Sequence, residues 1–279
     1  MKFEKMHAAG NDYIYVNLFE EKVENPEELS RRLSDRHFGV GGDGLVLIGP
    51  AEKGDFSMRM FNADGSEGLM CGNAARCVGR YLYERGLTNK KEIALQTLSG
   101  IKQLWLTIDP ASNRVTQIRV DMGPAICNGS QLQPPQSLLP EMVEHPLEAE
   151  GATWPVTFVS MGNPHAVIFT EGIDALDLQL IGSKIEHHPL FPQRTNVEFV
   201  EVIARDELRM RVWERGSGET LACGSGACAV LAAAVLTGRA DPRALVHLRG
   251  GDLQVEWERD QNRVFLTGDA QFVFKGELL

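Results

Sequence analysis

Apolar residues in this chain come mostly in short runs bounded by turn formers, the pattern of a strand-rich protein. Residues 3–7 and 13–18 have strand composition and flank Gly10-Asn11-Asp12, a turn signal. Runs at 45–48, 56–61, 93–98, 101–108 and 115–122 predict five more strands. The same rhythm returns later, at 156–159, 166–169, 197–203, 207–213, 245–248, 253–257, 264–266 and 272–274. Helical signals are fewer. Asn25-Pro26-Glu27-Glu28 offers a cap, a first-turn proline and first-turn acids, and predicts a helix to about residue 37. A second helix is predicted from Gly72 to near Gly86, where glycine can close it. A third is predicted over 173–184. The fourth follows Cys223, where 227–236 is an unbroken, Ala-rich apolar run. That run is well short of the ~20 residues that span a bilayer, so it predicts a buried helix and no membrane association. The pattern as a whole predicts an α/β (α+β) fold of two halves, each a curved, mainly antiparallel sheet wrapped round one long apolar helix.

The halves are related. When residues 57–86 are laid on 209–238, an offset of 152, nine of thirty positions are identical, where chance would give roughly two. Cys71 falls on Cys223, Gly72 on Gly224, Glu67 on Glu219, and the same offset places Gly10-Asn11 on Gly162-Asn163. A constant offset over this length is the mark of a duplicated unit. The expected boundaries are 1–122 for the first half, a linker at 123–152 that holds five prolines, and 153–262 for the second half.

Composition narrows the function classes. With 279 residues, 43% apolar and 24% charged, the chain can bury a sizeable core. A net charge of −10 argues against nucleic acid as a partner. The five cysteines form no regular framework, and the first residues carry charges and no apolar core of a leader, so a reducing, cytoplasmic setting is expected. Gly39–Gly44 resembles a phosphate loop only in its glycines; it lacks the following Lys-Ser/Thr and reads as a tight turn.

The chemistry is expected at the duplicated Cys-Gly corner. A cysteine at a helix start lies beside unpaired N–H groups and the positive end of the dipole, where a thiolate is favoured and its pKa can fall. The glycine after it leaves the next N–H groups open to a substrate carboxylate. Two such thiols facing each other across a site between the halves could invert a stereocentre: one removes a proton from carbon, the other returns one to the opposite face. Cys77 and Cys228 read as buried thiols, and Cys127 as incidental. A zinc site or a redox protein remains open, although the 71/77 and 223/228 spacings do not fit structural zinc knuckles. Asn11, Asn62, Asn163 and Asn196 lie in turns, where each serves either its own backbone or a ligand. Glu214-Arg215 falls opposite Asn62-Ala63 and breaks the symmetry with a charged pair. That pair suits a substrate end carrying an ammonium and a carboxylate. His165 is a candidate for orienting a group in the site.

Asn62-Ala63-Asp64-Gly65-Ser66 followed by Cys71-Gly72-Asn73-Ala74-Ala75-Arg76 resembles the signature of diaminopimelate epimerases. Lys5-Met6-His7, Gly10-Asn11-Asp12, Met161-Gly162-Asn163-Pro164-His165, Arg194-Thr195-Asn196 and the stretch from Glu214 to Cys228 also match in family order. The resemblance implies an epimerase that needs no cofactor or metal, interconverts LL- and meso-diaminopimelate for lysine and peptidoglycan precursors, and forms a homodimer. It implies that the C-terminal strand, about 263–279, returns to the first half. By motif position it makes Cys71 and Cys223 the acid and base, supported by His165 and Glu214. Gly72, Asn73, Gly224 and Ser225 would hold the reacting carboxylate. Asn11, Asn62, Asn163, Asn196, Glu214 and Arg215 would hold the rest. Gly44 stands where many members have Gln, and proline racemases share the two-base idea, so a proline-type substrate is the alternative.

Overall fold

A computed structural model describes all 279 residues, which divide into two compact units: Met1–Asp121 with Thr267–Leu279, and Met122–Leu266.

The first unit runs β1 (Lys2–Ala8), β2 (Asn11–Asn17), α1 (Pro26–Ser34), β3 (Gly44–Gly49), β4 (Phe56–Asn62), β5 (Glu67–Gly68), α2 (Gly72–Glu84), β6 (Glu92–Thr97), β7 (Gly100–Asp109) and β8 (Arg114–Gly123). The second runs β9 (His145–Ala149), β10 (Ala152–Ser160), β11 (Pro164–Phe169), α3 (Leu178–Glu186), β12 (Asn196–Ala204), β13 (Glu207–Glu214), β14 (Gly218–Thr220), α4 (Gly224–Leu236), β15 (Arg243–Leu248), β16 (Gly251–Glu258) and β17 (Arg263–Gly268). The last strand, β18 (Gln271–Glu277), pairs antiparallel with β1 in the first unit.

Strand pairing repeats from unit to unit. β1–β2 is antiparallel, β2–β3 parallel, β3–β4 antiparallel and β4–β6 parallel. β10–β11, β11–β12, β12–β13 and β13–β15 follow the same sequence of senses. Each sheet is therefore mainly antiparallel, with two parallel joins made by crossovers through a helix. β18 beside β1 is matched by β9 beside β10.

α2 and α4 each have thirteen residues, ten of them buried, and begin 152 residues apart. α4 is apolar on every side, so burial on all faces is its only stable state in water. α2 packs closely enough on β7 and β8 that a Cβ at Gly79 would meet Leu106 at 3.1 Å and Ile118 at 3.4 Å. Before each helix an arginine and a glutamate tie two strands. Arg59 Nε donates to Glu67 at 2.7 Å, and Arg211 Nε to Glu219 at 2.8 Å. Both pairs lie at the 152 offset, so part of the internal identity is a repeated brace beneath each cysteine loop.

Three local differences from the sequence expectations have plain causes. α1 ends at Ser34, not near 37, because the Asp35 carboxylate accepts from the N–H groups of His37 and Phe38 and turns the chain. The predicted helix at 173–184 becomes a single 3-10 turn, Ile173–Ala175, and then α3. The Asp177 side chain caps the Leu180 N–H and restarts the helix there. The proline-rich stretch 123–152 lies in the second unit, where β9 pairs with β10 and Met142 and Leu147 join the core with Phe158 and Phe199.

The C-terminal segment is fastened to α2 by a fully buried arginine. Arg76 Nε donates to the Asp269 carbonyl at 3.1 Å and Nη2 to Asn73 Oδ1 at 2.9 Å, and Arg80 donates to the Ala270 carbonyl. Replacing Arg76 by Leu leaves buried acceptors without donors, at about 1–3 kcal/mol each. We expect a loss of about 3 kcal/mol in urea unfolding and faster proteolysis within 267–279.

Candidate active site

Each unit places its cysteine at the cap of its long helix, in extended conformation: Cys71 at φ −134°, ψ 122° before α2, and Cys223 at φ −121°, ψ 109° before α4. In both, the cysteine carbonyl already accepts from the first-turn alanine, Ala75 or Ala227. The first N–H groups of α4 belong to Gly224 and Ser225, and the Gly226 N–H points at Cys223 Sγ, 3.3 Å away. These are the donors that a helix start offers an anion.

In the first unit, Asn11 opens β2 and reaches the α2 corner. Its Oδ1 accepts from Asn73 Nδ2 at 3.3 Å and from the Cys71 thiol at 3.5 Å. Its Nδ2 donates to Asp43 at 2.7 Å. Asp43 is held in turn by the Asp12 N–H and by Arg36, and Lys5 pairs with Asp12 at 2.6 Å. Asn62 ends β4 and donates to Ser66 Oγ at 3.0 Å, so it stands outside the Asn11 cluster. A side chain at residue 44 would put its Cβ 2.0 Å from the Phe61 carbonyl oxygen. The backbone there is built for glycine, which accounts for Gly44 where a glutamine was the alternative.

In the second unit, Cys223 is nearly fully buried and surrounded by polar groups. Ser225 Oγ lies 3.5 Å from its sulfur, and Asn163 Nδ2 donates to that oxygen at 3.3 Å. His165 Nε2 is 3.2 Å from Asn163 Oδ1, and its Nδ1 is 2.7 Å from Glu198. His165 and Glu198 are both fully buried. Glu214 ends β13, where Asn62 ends β4. Thr220 donates to its carboxylate, which also lies within hydrogen-bonding reach of the Cys223 thiol.

Electrostatics at Cys223 reverse one sequence expectation. Burial raises its thiol pKa well above the ordinary value; Glu214 and Glu198 push it the same way, and hydrogen bonds from Ser225 and the Gly226 N–H oppose them. The helix start alone would lower it; enclosure and two nearby carboxylates win. Burial also raises the carboxyl pKa of Glu214. Cys77, fully buried within α2, is pushed up to about 12 by burial, and Cys228 is fully buried too. None of the five cysteines is in a disulfide, and no group of three or more His, Cys, Asp or Glu side chains is placed to hold a metal.

Asn196 and Arg215 form a second cluster in this unit. Asn196 Oδ1 accepts the Arg215 N–H at 2.9 Å, and its Nδ2 donates to the Pro164 carbonyl. Arg215 lines a cleft of about 460 Å³ with Pro192, Gln193, Arg194 and Gly216. Two guanidinium groups face that cleft, and burial together with Arg194 lowers the Arg215 pKa.

A family model for diaminopimelate epimerase matches residues 3–127 and 157–273. The chain belongs to the diaminopimelate epimerase family. It is 56% identical to a diaminopimelate epimerase of Acetivibrio thermocellus over 278 residues, covering 100% of this chain and 98% of that one. It is 50% identical to one of Methanococcus maripaludis, with 100% and 99% covered. The fold is shared with more distant proteins. A Bacillus anthracis phenazine biosynthesis protein of the PhzF family matches with a TM-score of 0.70 at 15% identity, covering 100% of this chain and 99% of its own. An Agrobacterium vitis hydroxyproline epimerase with bound trans-4-hydroxy-L-proline matches at 0.69 and 14%, covering 100% and 90%.

Sequence reasoning missed Asp43, Glu186, Glu198 and Thr220, which hold Asn11, the Gly216 N–H, His165 and Glu214 in turn. Glu198 left a readable signal: one acid within Asn196–Val200, a stretch buried throughout.

The Glu214 carboxyl has a folded-state pKa above its unfolded value. Its contribution to stability is therefore full at acid pH, below the unfolded value, and is lost as pH rises through the raised one. Gln keeps the neutral form at every pH. We expect Glu214→Gln to raise the thermal midpoint by a few degrees at pH 8 and not at pH 4, while turnover falls at least roughly tenfold. Scanning calorimetry at both pH values checks the sign.

Proposed function

We propose that Cys71 and Cys223 are the two proton-transfer groups through which this isomerase interconverts LL- and meso-diaminopimelate. The observation that carries the reading is the corner built twice. Each has a thiol capping a thirteen-residue buried helix, a glycine after it, and an asparagine 62 residues earlier in the chain hydrogen-bonded to the second helical residue. A two-base inversion needs two groups of equal standing, because the reverse reaction uses the opposite protonation pattern.

In one direction a thiolate takes the α proton and becomes a thiol. The electron pair left on carbon delocalises into the α-carboxylate, which the helix-start N–H groups stabilise. The other thiol gives its proton to the opposite face and becomes a thiolate. No electrons leave the substrate, and the net proton count is unchanged. Gly72, Asn73, Gly224 and Ser225 serve the carboxylate at the reacting carbon. Asn11, Asn62, Asn163, Asn196, Glu214 and Arg215 hold the remaining polar groups, with Glu214 and His165 also supporting Cys223.

A proline-type substrate would need nothing from the cleft that Arg194 and Arg215 line, whereas diaminopimelate brings a second carboxylate to it. That favours the longer, doubly zwitterionic substrate. The activity belongs to amino-acid biosynthesis on the route to lysine. A cytoplasmic homodimer completes the reading, supported by five cysteines outside any disulfide, which suit a reducing compartment, and by the family resemblance.

Incubating the reduced protein with LL-diaminopimelate in deuterium oxide should yield meso product carrying solvent deuterium at the α carbon. Cys71→Ala and Cys223→Ala should each lower kcat by more than about a thousandfold with the fold unchanged by circular dichroism. Near-full activity in either variant would sink the two-base assignment.

A further inference from the structure

Glu198 is a fully buried carboxylate in β12, and one of its oxygens has no partner. The other faces His165 Nδ1 at 2.7 Å, and from there a hydrogen-bonded chain leads to sulfur. His165 Nε2 meets Asn163 Oδ1 at 3.2 Å, Asn163 Nδ2 meets Ser225 Oγ at 3.3 Å, and Ser225 Oγ meets Cys223 Sγ at 3.5 Å. Space is kept for the carboxylate. A Cβ at Gly226, in the first turn of α4, would lie 2.8 Å from Glu198 Oε1, so the glycine lets the acid approach the positive end of the helix.

The chain has a direction. Asn163 Oδ1 can only accept, so the His165 Nε2 that faces it at 3.2 Å carries a hydrogen. That commits Oδ1 to accept and Nδ2 to donate to Ser225 Oγ. The serine hydroxyl is left with its own hydrogen for sulfur. The first unit is wired in the other sense. Asp43, which only accepts, takes Asn11 Nδ2 at 2.7 Å, so Asn11 offers Cys71 an acceptor. Asn11 and Asn163 occupy the same register in the two units and present opposite ends to their thiols.

We propose that Glu198 is a positioning residue that acts through His165 and Asn163 to aim the Ser225 hydroxyl at Cys223, and that the hydrogen bond so aimed favours the thiolate by more than the nearby Glu198 charge opposes it. This rests on the reading of Cys223 as a proton-transfer group. The titratable groups facing Cys223 are Glu214, which Thr220 of β14 holds, and the Glu198–His165 pair. A neutral amide at 198 can accept from Nδ1 or donate to it, so the single ring hydrogen is no longer committed to Nε2 and the serine is no longer aimed.

The test is the pH dependence of iodoacetamide alkylation at Cys223, read by peptide mass spectrometry with Cys71 as internal reference. The proteins compared are the wild type, Glu198→Gln, Ser225→Ala and the double variant. The midpoint at Cys223 should move up by about one pH unit in each single variant, a tenfold loss of thiolate at fixed pH for one hydrogen bond to a charged sulfur. It should move no further in the double variant and not at all at Cys71. A downward shift in Glu198→Gln, as a merely neighbouring negative charge would give, overturns the proposal, and so does an unmoved midpoint. If Glu198→Gln does not fold, nitrogen NMR of His165 in the wild type decides: Nε2 carries hydrogen, and a bare Nε2 overturns the relay. Wild-type turnover of diaminopimelate is followed in parallel; its absence would overturn the functional reading and leave the alkylation profile to judge the relay.

Discussion

The constraint on which each unit depends is a helix that cannot meet water. α4 has no polar face, and α2 hides ten of its thirteen residues, including an arginine. Each must be enclosed by strands, and parallel joins between β2 and β3, β4 and β6, and their counterparts follow from crossovers passing over the sheet. Burying the helix also fixes its first turn. A cysteine at that cap inherits a rigid position, a row of N–H groups and a low-dielectric setting from packing that has nothing to do with chemistry.

Packing is therefore symmetric, while electrostatics is not. The braces Arg59–Glu67 and Arg211–Glu219 are the same object twice. Around the thiols the units diverge. Cys71 meets an amide oxygen; Cys223 meets a serine hydroxyl and lies near two carboxylates. In a buried site, small differences in donors and acceptors weigh more than in water. A duplicated scaffold can thus keep its core while the polar lining of each copy drifts towards its own proton affinity.

How much of this was legible in the chain follows the same division. The repeated core was visible because apolar periodicity and glycine placement report on packing directly, and residues 72 and 224 open helices in the predicted register. Boundaries set by a single side chain were not. Asp35 and Asp177 cap turns through contacts that depend on backbone angles, which pattern alone does not carry. The Cys223 environment was misjudged for a related reason. A helix start is a local feature that sequence reveals, whereas Glu214 and Glu198 approach from other strands. Glu198 could have been noticed as one acid in a run otherwise fit for a core, where an unpaired charge would be costly.

On the proposed two-thiol mechanism, the opposite orientation of two register-matched asparagines bears on how the site rests. Such a site works only with one thiol protonated and one not. With equal surroundings, half of the productive molecules would be poised for each direction, and singly charged forms would compete with doubly protonated ones. An acceptor at Cys71 favours its thiol, since S–H can donate there. Donors at Cys223 favour its thiolate, against the burial and the carboxylates that oppose it. The two biases reinforce each other, so the mixed protonation state gains from both hydrogen-bond sets at once. The cost falls on the return direction, which needs both to reverse. Because a reversible isomerisation between near-isoenergetic epimers runs fastest when neither state is too deep, the opposing terms at Cys223 read as a limit on that bias. Burial and the Glu214 carboxylate keep the thiolate from becoming so stable that it stops being a base.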